Sequence, residues 1–313
     1  MILWIPVLVL AVVAAMRLFA WDVYEPFAVL NTVTELVYLP AWVVAVVAVI
    51  GRRRTLALAA LAIVVLQVVF MLPELTASEP LPGWTKGAPT IQLLDANVYD
   101  ANRSMAGYIS QIKATRPTLV TMEEANPDDV AQLTRAGALA GLPYTIEVKR
   151  WDSAAFFVAS RYPLVGTTFT YLYDRPLVVQ TTIQLPSGPQ ALWVVHTTAP
   201  LPQSYSQWQG QVVDIHRLLS QRGPTGLLMV GDFNSTWGNK GFRGILAAGM
   251  ADGAAARGRP FDMTWSQMER PLLPFVRIDH VLTGTGVEVT RIQSAPGVGS
   301  DHRDLIATVA VHR

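Results

Sequence analysis

The 313-residue sequence contains no cysteine. Disulfide bonds, thiolate nucleophiles and cysteine-based zinc sites are therefore excluded. The absence suits an oxidising compartment but does not establish one. Charge is also scarce, because charged residues make up 15% of the chain and the net charge is only +1. From Thr90 onward basic and acidic residues are nearly equal in number. This balance of charges disfavours, without excluding, tight binding of long nucleic acid driven by counterion release.

Long apolar runs, by contrast, are abundant near the N-terminus, at about residues 2–19, 36–50 and 56–72. A membrane-spanning helix needs roughly 20 apolar residues, and about 17 can suffice. The first and third runs qualify, whereas the second contains Pro40 and must borrow flanking residues. We predict that residues 1–72 form a membrane anchor of about three transmembrane helices. The alternative is a signal peptide followed by a buried helical hairpin, but a basic leading segment and a clear cleavage site are both missing.

The charges between the apolar runs predict the orientation of the anchor. Arg52–Arg54 lie between the second and third runs, whereas the first loop carries Asp22, Glu25 and Glu35. Basic loops remain in the cytoplasm. The sequence therefore predicts a multi-pass protein of the cell membrane, with the lipid bilayer as a partner and the rest of the chain extracytoplasmic.

Residues 73–89 contain four prolines and show no helical or strand period, which predicts a linker. Residues 90–313 then form one domain in which short apolar runs alternate with helical patterns. The predicted strands are 90–97, 118–122, 154–160, 177–185, 191–197, 226–232, 277–282 and 305–311, and the predicted helices are 101–115, 127–140, 203–221 and 239–248. Several strands are apolar throughout, as expected of strands covered on both faces. The pattern predicts a layered α+β domain with two packed sheets and helices outside.

Polar residues recur where these apolar strands end. They are Asn97, Glu123 and Glu124, His196, Asp232 and Asn234, Asp279 and His280, and Asp301 and His302. Burying such groups is costly unless they are paired or bind a metal, and rigid scaffolds commonly present catalytic groups at strand ends. The oxygen donors, without cysteine or closely spaced histidines, favour Mg²⁺, with Mn²⁺ or Ca²⁺ as alternatives, over zinc. A divalent cation with histidine and asparagine suits hydrolysis of a phosphate ester.

The motifs DANVYD, TLVTMEEAN, DRPLVV, VVHTTAP, GDFNST, RIDHVL and SDHRDL occur in this order between residues 95 and 305. Together they resemble the endonuclease/exonuclease/phosphatase superfamily, which includes pancreatic deoxyribonuclease, apurinic endonucleases, neutral sphingomyelinases and inositol polyphosphate 5-phosphatases. The N-terminal runs resemble those of bacterial membrane-tethered members. The resemblance covers residues 90–313 and implies a four-layer α/β/β/α sandwich, with two mostly antiparallel sheets flanked by helices and preceded by transmembrane helices.

The resemblance also implies a role for each matching residue. The implied catalytic residues are His196, Asp232, Asn234, Asp279 and His302, the phosphate-binding residues Arg175, Asn97 and Asn234, and the metal ligands Glu124, Asn97 and Asp301. Asp232 would orient or activate the attacking water, and Asp279 would fix the tautomer of His302. Asp232 and His302 remain competing candidates for the general base. Two departures stand out: Glu123 occupies a position that is often Gln, and Ala and Phe replace the usual Gly and Ala in WDSAAFFVASRYPL (151–164).

The sequence thus predicts a membrane-anchored, divalent-metal-dependent phosphoesterase that hydrolyses a phosphodiester by in-line attack of water. A lipid headgroup or small phosphodiester is the favoured substrate, because the domain is near neutral and anchored. An extracytoplasmic deoxyribonuclease-like enzyme is the main alternative, so nucleic acid stays open as a partner. A catalytically inactive membrane-bound binding module is the further alternative. No protein partner can be inferred.

Overall fold

A computed structural model describes residues 2–266 and 274–312. Its helices are α1 (Trp4–Phe19), α2 (Glu25–Thr32), α3 (Thr34–Val37), α4 (Leu39–Ile50), α5 (Arg54–Leu75), α6 (Ala106–Thr115), α7 (Pro127–Arg135), α8 (Tyr205–Arg222), α9 (Lys240–Ala247) and α10 (Gly253–Ala256). Its strands are β1 (Thr90–Asn97), β2 (Leu119–Glu123), β3 (Tyr144–Val148), β4 (Phe156–Ser160), β5 (Leu164–Leu172), β6 (Arg175–Leu185), β7 (Gly188–His196), β8 (Leu227–Asp232), β9 (Ala251–Asp252), β10 (Asp279–Thr283), β11 (Val287–Pro296) and β12 (Arg303–Val311).

The strands form two six-stranded sheets, ordered β11-β12-β1-β2-β4-β3 and β5-β6-β7-β8-β10-β9. Each sheet is mixed, because β1 pairs with β2 and β7 with β8 in parallel while the other neighbours are antiparallel. Apolar side chains of both sheets meet in one buried core that includes Leu93, Val158, Val194 and Val230. These strands are covered on both faces, which explains their uninterrupted apolar sequences.

Helices cover the outer face of each sheet. Tyr108 of α6 and Leu133 of α7 pack against the first sheet. Trp208 of α8 and Phe242 of α9 pack against the second. The predicted α+β sandwich, with two packed sheets between helices, is therefore confirmed, and each mostly antiparallel sheet contains one parallel pair.

Four strands were not predicted from sequence: β3, β5, β9 and β11. All four lie at sheet edges, β9 has only two residues, and β5 is exposed or half-buried along its whole length. An edge strand with polar side chains on both faces lacks the apolar signal on which the prediction depends. The predicted helix 127–140 ends early, at Arg135, and Gly137 follows with a positive φ of 66°, as is common after a helix.

Helices α1, α4 and α5 pack together ahead of the sandwich. Val7, Val44 and Leu56 pack at one end of this group, and Tyr38 and Phe70 pack at the other, which faces the sandwich. The turn that carries Arg52–Arg54 joins α4 to α5 at the first of these ends. The basic turn and the sandwich therefore lie at opposite ends of the helical group.

Among the residues described, α5 is long and apolar enough to cross a membrane. The apolar pair formed by α2 and the helices over residues 34–50 meets the same test only if the two parts, bent by 85°, are counted as one span. Helix α1 is apolar but has 16 residues. One or two of the three predicted spans thus have the required length and composition, a test that core helices and signal sequences can also pass.

The predicted linker, residues 73–89, lies against the sandwich. Helix α5 continues through Pro73 to Leu75. Further along, the Glu79 amide donates to the Ala256 carbonyl at 3.3 Å, and the Trp84 ring lies 5.0 Å from that of His312. The segment therefore follows the surface of the sandwich. The domain boundaries at residues 72 and 90 stay predictions.

Candidate active site

Strand pairing brings the predicted site residues to one edge of the two sheets. In the parallel pairs, Asn97 is aligned with Glu123 and His196 with Asp232. In the antiparallel pair of β8 and β10, Asp279 is opposite Asp232. Because parallel strands end on the same side and β10 begins where β8 ends, polar residues distant in sequence converge.

A cavity of about 440 Å³ opens at this edge. The predicted residues that line it are Glu124, Arg175, His196, Asp232, Asn234, Asp301 and His302. Asn97 and Asp279 are buried and reach the site by hydrogen bonds to Asp232 and His302, respectively. The structure therefore brings all nine predicted site residues together, while the roles assigned to them stay predictions.

Asp232 lies at the centre of the site and is 1% exposed. Its Oδ1 accepts a hydrogen bond from the backbone amide of Asn234 at 2.8 Å. Its Oδ2 accepts from the side-chain amides of Asn97 and Asn234, both at 3.1 Å. Burial, reinforced by the negative charge of Asp279, raises the pKa of the Asp232 carboxyl well above its usual range. Asp232 is therefore held in one orientation and is more basic than an ordinary aspartate.

Asn97 connects two carboxylates from different sheets. Its amino group donates to Glu124 Oε1 as well as to Asp232 Oδ2, each at 3.1 Å, and its Oδ1 accepts from the backbone amide of Tyr99 at 3.0 Å. In this orientation Asn97 presents its amino group to the acids. Its predicted role as a direct metal ligand would use the same oxygen that accepts from Tyr99.

Glu124 is directed into the cavity by an unusual backbone conformation. Its φ is 62°, and its amide donates to the Ala155 carbonyl at 2.9 Å. Its Oε2 accepts from the Asp100 amide at 2.9 Å. The preceding residue, Glu123, is fully buried and does not line the cavity. The side chains of these adjacent glutamates therefore point in different directions: Glu124 lines the cavity, and Glu123 lies in the protein interior.

His302 forms an ion pair with Asp279. Its Nδ1 lies 2.9 Å from Asp279 Oδ2, and its Nε2 lies 3.8 Å from Asp232 Oδ2. Burial alone would lower the pKa of His302, but the carboxylates of Asp279 and Asp232 outweigh it and raise the pKa to about 10. The imidazole is therefore cationic at neutral pH, with Nε2 available to donate a hydrogen bond toward the cavity.

His196, unlike His302, is neutral at neutral pH. Its Nε2 lies 3.6 Å from Glu124 Oε1 and 3.7 Å from Asp232 Oδ2. Burial, followed by the positive charge of His302, lowers the pKa of His196 to about 3. A neutral and a cationic histidine thus face the same central aspartate.

The acids of the site suit a divalent cation. Oxygens of Asp232 and Asp279 lie within 4.8 Å of each other, beside the cationic His302. The carboxylate of Glu124 shares the Asn97 amide with Asp232, and Asp301 Oδ1 lies 3.8 Å from His302 Nε2. Crowded carboxylates raise one another's pKa values, and a bound cation would relieve this repulsion. The donor set is rich in oxygen, as Mg²⁺ and related hard cations require.

Three further residues shape the cavity and were not predicted as site residues. Ser153 Oγ accepts from the Arg175 guanidinium at 2.7 Å, which directs Arg175 along the cavity wall. The Trp265 indole donates to Asp301 Oδ2 at 3.0 Å. The Thr197 carbonyl accepts from the Asn234 side chain at 2.8 Å. Serines, threonines and tryptophans in loops follow no periodic sequence pattern. Of these three residues, only Thr197 had a sequence signal for a role in the site, because it directly follows His196.

The sequence pattern of the Endonuclease/Exonuclease/phosphatase family matches residues 92–302. The chain therefore belongs to this family, whose members are divalent-metal-dependent phosphoesterases and nucleases that hydrolyse phosphodiester bonds. No curated protein sequence matches the chain.

Several solved structures share the fold at low sequence identity. D. rerio TDP2 complexed with single strand DNA product has a TM-score of 0.59 and 14% identity, covering 71% of this chain and 99% of that one. The 3′ phosphatase NExo from Neisseria, bound to product DNA hairpin, has a TM-score of 0.54 and 13% identity, with 69% and 98% covered. An endonuclease/exonuclease/phosphatase from Beutenbergia cavernae has a TM-score of 0.55 and 16% identity, with 71% and 72% covered.

Proposed function

We propose that the protein is a membrane-anchored, divalent-metal-dependent phosphodiesterase whose substrate is a lipid headgroup or small phosphodiester at the extracytoplasmic membrane surface. One observation carries the choice of substrate: helix α8 contacts both the cavity and the turn that follows α1. Tyr205 and Gln209 of α8 donate to the carbonyl of Asp22, which follows α1. Gln207, on the same helix, lines the cavity. A phosphate group at the membrane surface would therefore be close to the site.

In the proposed reaction, a water oxygen attacks phosphorus in line with the leaving oxygen. Asp232 accepts a proton from this water, since its pKa is raised and two amides and a backbone N–H orient its carboxylate. His302 is held cationic by Asp279, so it serves better as a hydrogen-bond donor to the phosphate than as the base. This difference favours Asp232 over His302 as the general base.

The remaining residues would bind and orient the phosphate. Neutral His196 can donate to a non-bridging oxygen, and Arg175 supplies a positive charge on the cavity wall. Asn234 would donate to a phosphate oxygen in exchange for one of its present acceptors, Asp232 Oδ2 or the Thr197 carbonyl. Glu124 and Asp301, with Asn97 beside them, would hold a divalent cation. Mg²⁺ is our first choice for this cation, with Mn²⁺ or Ca²⁺ as alternatives. The cation would neutralise the negative charge that develops on the phosphate oxygens.

A nuclease is the second candidate. The observation that favours it is the fold shared with proteins whose structures contain DNA products. The net charge of only +1 disfavours, without excluding, tight binding of long nucleic acid by counterion release.

The deciding experiment uses the full-length chain in detergent or reconstituted in bilayers. It should be assayed with Mg²⁺ or Mn²⁺ against phosphatidylglycerol vesicles, plasmid DNA and bis(4-nitrophenyl) phosphate, with Asp232→Asn as the control for contaminating hydrolases. We expect metal-dependent cleavage of the lipid phosphodiester that EDTA and Asp232→Asn abolish.

The other outcomes are equally informative. Plasmid nicking that Asp232→Asn abolishes, with vesicles left intact, would reject the lipid substrate in favour of a nuclease. If none of the three substrates is hydrolysed, the inactive binding module becomes the better interpretation.

A further inference from the structure

The loop that follows the candidate catalytic Asn234 is enclosed by the N-terminal helices. We call residues 235–239 the site loop. Thr236 Oγ1 donates to the Thr32 carbonyl and Asn239 Nδ2 to the Ala28 carbonyl, both at 3.1 Å. Asn239 is 0% exposed. The loop is thus bound to α2 by hydrogen bonds that both sides need, because buried polar groups without partners are costly.

Gly238 is the point of closest approach. A Cβ atom at this position would lie 1.7 Å from the Asn31 carbonyl oxygen, so no side chain fits. The Gly238 carbonyl accepts from the guanidinium of Arg17 and from the Trp21 indole, both at 2.9 Å. One residue of the site loop therefore contacts α1, the turn after it and α2.

The other end of the site loop continues the same contact. The carboxylate of Asp22 accepts from the Lys240 amide at 2.6 Å, at the first residue of α9. Asp22 in turn accepts from the Asn31 side chain at 2.7 Å. The turn between α1 and α2 thus holds the end of the site loop in the manner of a helix cap.

A second connection joins the helices to the start of β10. Arg277 is buried between Glu74 of α5 and Asp252, and its Nη1 lies 2.8 Å from Asp252 Oδ1. Asp252 also bonds His280 Nδ1 at 3.2 Å, and His280 Nε2 lies 3.0 Å from the Ser235 carbonyl. Glu74 is therefore linked through side chains to both strands that carry the central aspartates, since Asp279 lies between Arg277 and His280.

We propose that the N-terminal helices are a positioning element of the active site, with Gly238 and Glu74 as positioning residues. They act through the site loop on Asp232 and Asn234, and through Arg277 on Asp279. The proposal rests on the proposed phosphodiesterase function. It means that the helices form part of the catalytic unit and are more than a flexible attachment to the membrane.

The test compares full-length variants in detergent with a small soluble substrate, bis(4-nitrophenyl) phosphate, which needs no membrane for delivery. Gly238→Ala pushes the site loop away from Asn31, and Glu74→Ala removes the partner of Arg277, whereas Glu74→Gln keeps a hydrogen-bond acceptor. Trp84→Ala is the matched control, because it removes a contact between the 73–89 segment and the sandwich far from the site loop.

We expect kcat to fall at least tenfold in Gly238→Ala and Glu74→Ala, with KM changed less than threefold. Glu74→Gln should recover much of the loss, and Trp84→Ala should retain wild-type kcat. Folded Gly238→Ala and Glu74→Ala proteins with kcat within twofold of wild type would overturn the proposal, as would an equal loss in Trp84→Ala.

Hydrogen exchange of the wild-type chain decides the matter where a variant does not fold or no phosphoester is hydrolysed. We expect the amides of Thr236, Gly238 and Lys240 to exchange as slowly as those of β8, because all three donate to buried acceptors. Exchange at the rate of an exposed loop would reject the enclosed site loop. A protected loop in a protein without hydrolytic activity would reject the proposed function but leave the positioning contact in place.

Discussion

At the scale of single residues, His196 and His302 show how similar side chains acquire different charge states. Both are buried, but Asp279 makes close contact with only one of them. The charge that Asp279 stabilises on His302 then helps to keep His196 neutral. At neutral pH the site therefore holds a cationic hydrogen-bond donor beside a neutral imidazole.

Asp279→Asn should lower the pKa of His302 from about 10, because the nearest negative charge is removed. The test is a pH titration of ¹³C-labelled histidines in the full-length protein by NMR. Asp214→Asn, a change on the outer side of α8, serves as the control and should leave the His302 titration in place. If His302 still titrates near pH 10 in Asp279→Asn, the ion pair does not set its charge state.

The same ion pair predicts how stability depends on pH. The folded pKa of His302 is raised above the value near 6.5 that is expected of an unfolded chain. Its contribution to the free energy of unfolding is therefore complete below about pH 6.5 and is lost as the pH rises through about 10. Denaturant unfolding of wild type and Asp279→Asn over this interval should show a smaller decline with pH in the variant.

Asn234→Gly should lower kcat by about 10²–10³-fold, as removal of a preorganised donor does in other hydrolases. Glycine tolerates the φ of 43° at this position, so the substitution removes the amide without backbone strain. The melting temperature should fall moderately, because the Thr197 carbonyl and Asp232 Oδ2 each lose a hydrogen bond. A rate within tenfold of wild type would show that Asn234 only completes the turn after β8.

Sequence reasoning identified the polar residues at strand ends, Glu123 among them, but did not predict that the side chains of Asp95 and Glu123 are buried behind the cavity. Asp95 and Glu123 are 1% and 0% exposed, and burial raises the pKa of both carboxyl groups. Thr121 donates to Asp95 Oδ1. Each acid is part of an otherwise ordinary strand sequence, and only the packing of the second sheet over β1 and β2 shows that water is excluded.

At the scale of elements, the parallel pair β7–β8 requires a glycine one residue before Asp232. Gly231 has a φ of 122°, and a Cβ atom there would lie 2.1 Å from the Val195 carbonyl oxygen. The close approach of the two strands aligns His196 with Asp232. The glycine of the GDFNST motif is therefore explained by packing, and the aspartate and asparagine by the site.

Gly231→Ala should reduce the free energy of unfolding by about 1–3 kcal/mol through overpacking, and should reduce activity by displacing Asp232 from His196. Denaturant unfolding and kcat measured on the same preparation test this prediction. The control is Gly141→Ala, at an exposed glycine where a Cβ atom would meet nothing within 4 Å. Equal effects of the two substitutions would contradict the proposed role of the strand contact.

The predicted elements show where sequence patterns are informative. Strands β1 and β8, which are buried on both faces and carry site residues, were predicted within a residue of their observed ends. The edge strand β5, with glycine and threonines among its aromatic residues, was missed. Its partner β6 stabilises it by backbone hydrogen bonds. Backbone pairing does not depend on side-chain type, so the sequence of an edge strand gives little indication of it.

At the scale of the whole molecule, the basic turn and the sandwich should lie on opposite sides of the membrane. The absence of native cysteine makes the test direct, because a single introduced cysteine is the only reactive thiol. In intact cells, a membrane-impermeant maleimide should label Lys113→Cys, on α6 of the sandwich. It should label Arg53→Cys only after permeabilisation. The reverse pattern would place the sandwich in the cytoplasm.

The contact between the helices and the site loop could not be predicted from the sequence. Arg17 and Gly238, for example, are separated by 221 residues and share no pattern. The sequence predicted that the acidic residues after the first apolar run lie in a loop and that a semi-rigid linker follows the anchor. The structure uses polar residues of this segment, including Asp22 and Asn31, to hold the sandwich against the helices.

The position of Arg17 limits how far α1 can extend into hydrocarbon. From Trp4 to Arg17 the helix rises only about 20 Å, whereas the hydrocarbon core of a bilayer is about 30 Å thick. If α1 lies in a bilayer, the bilayer beside it would thin locally, at a cost of a fraction of a kcal/mol for each ångström of mismatch. Lipid headgroups would then be drawn toward the cavity from the side.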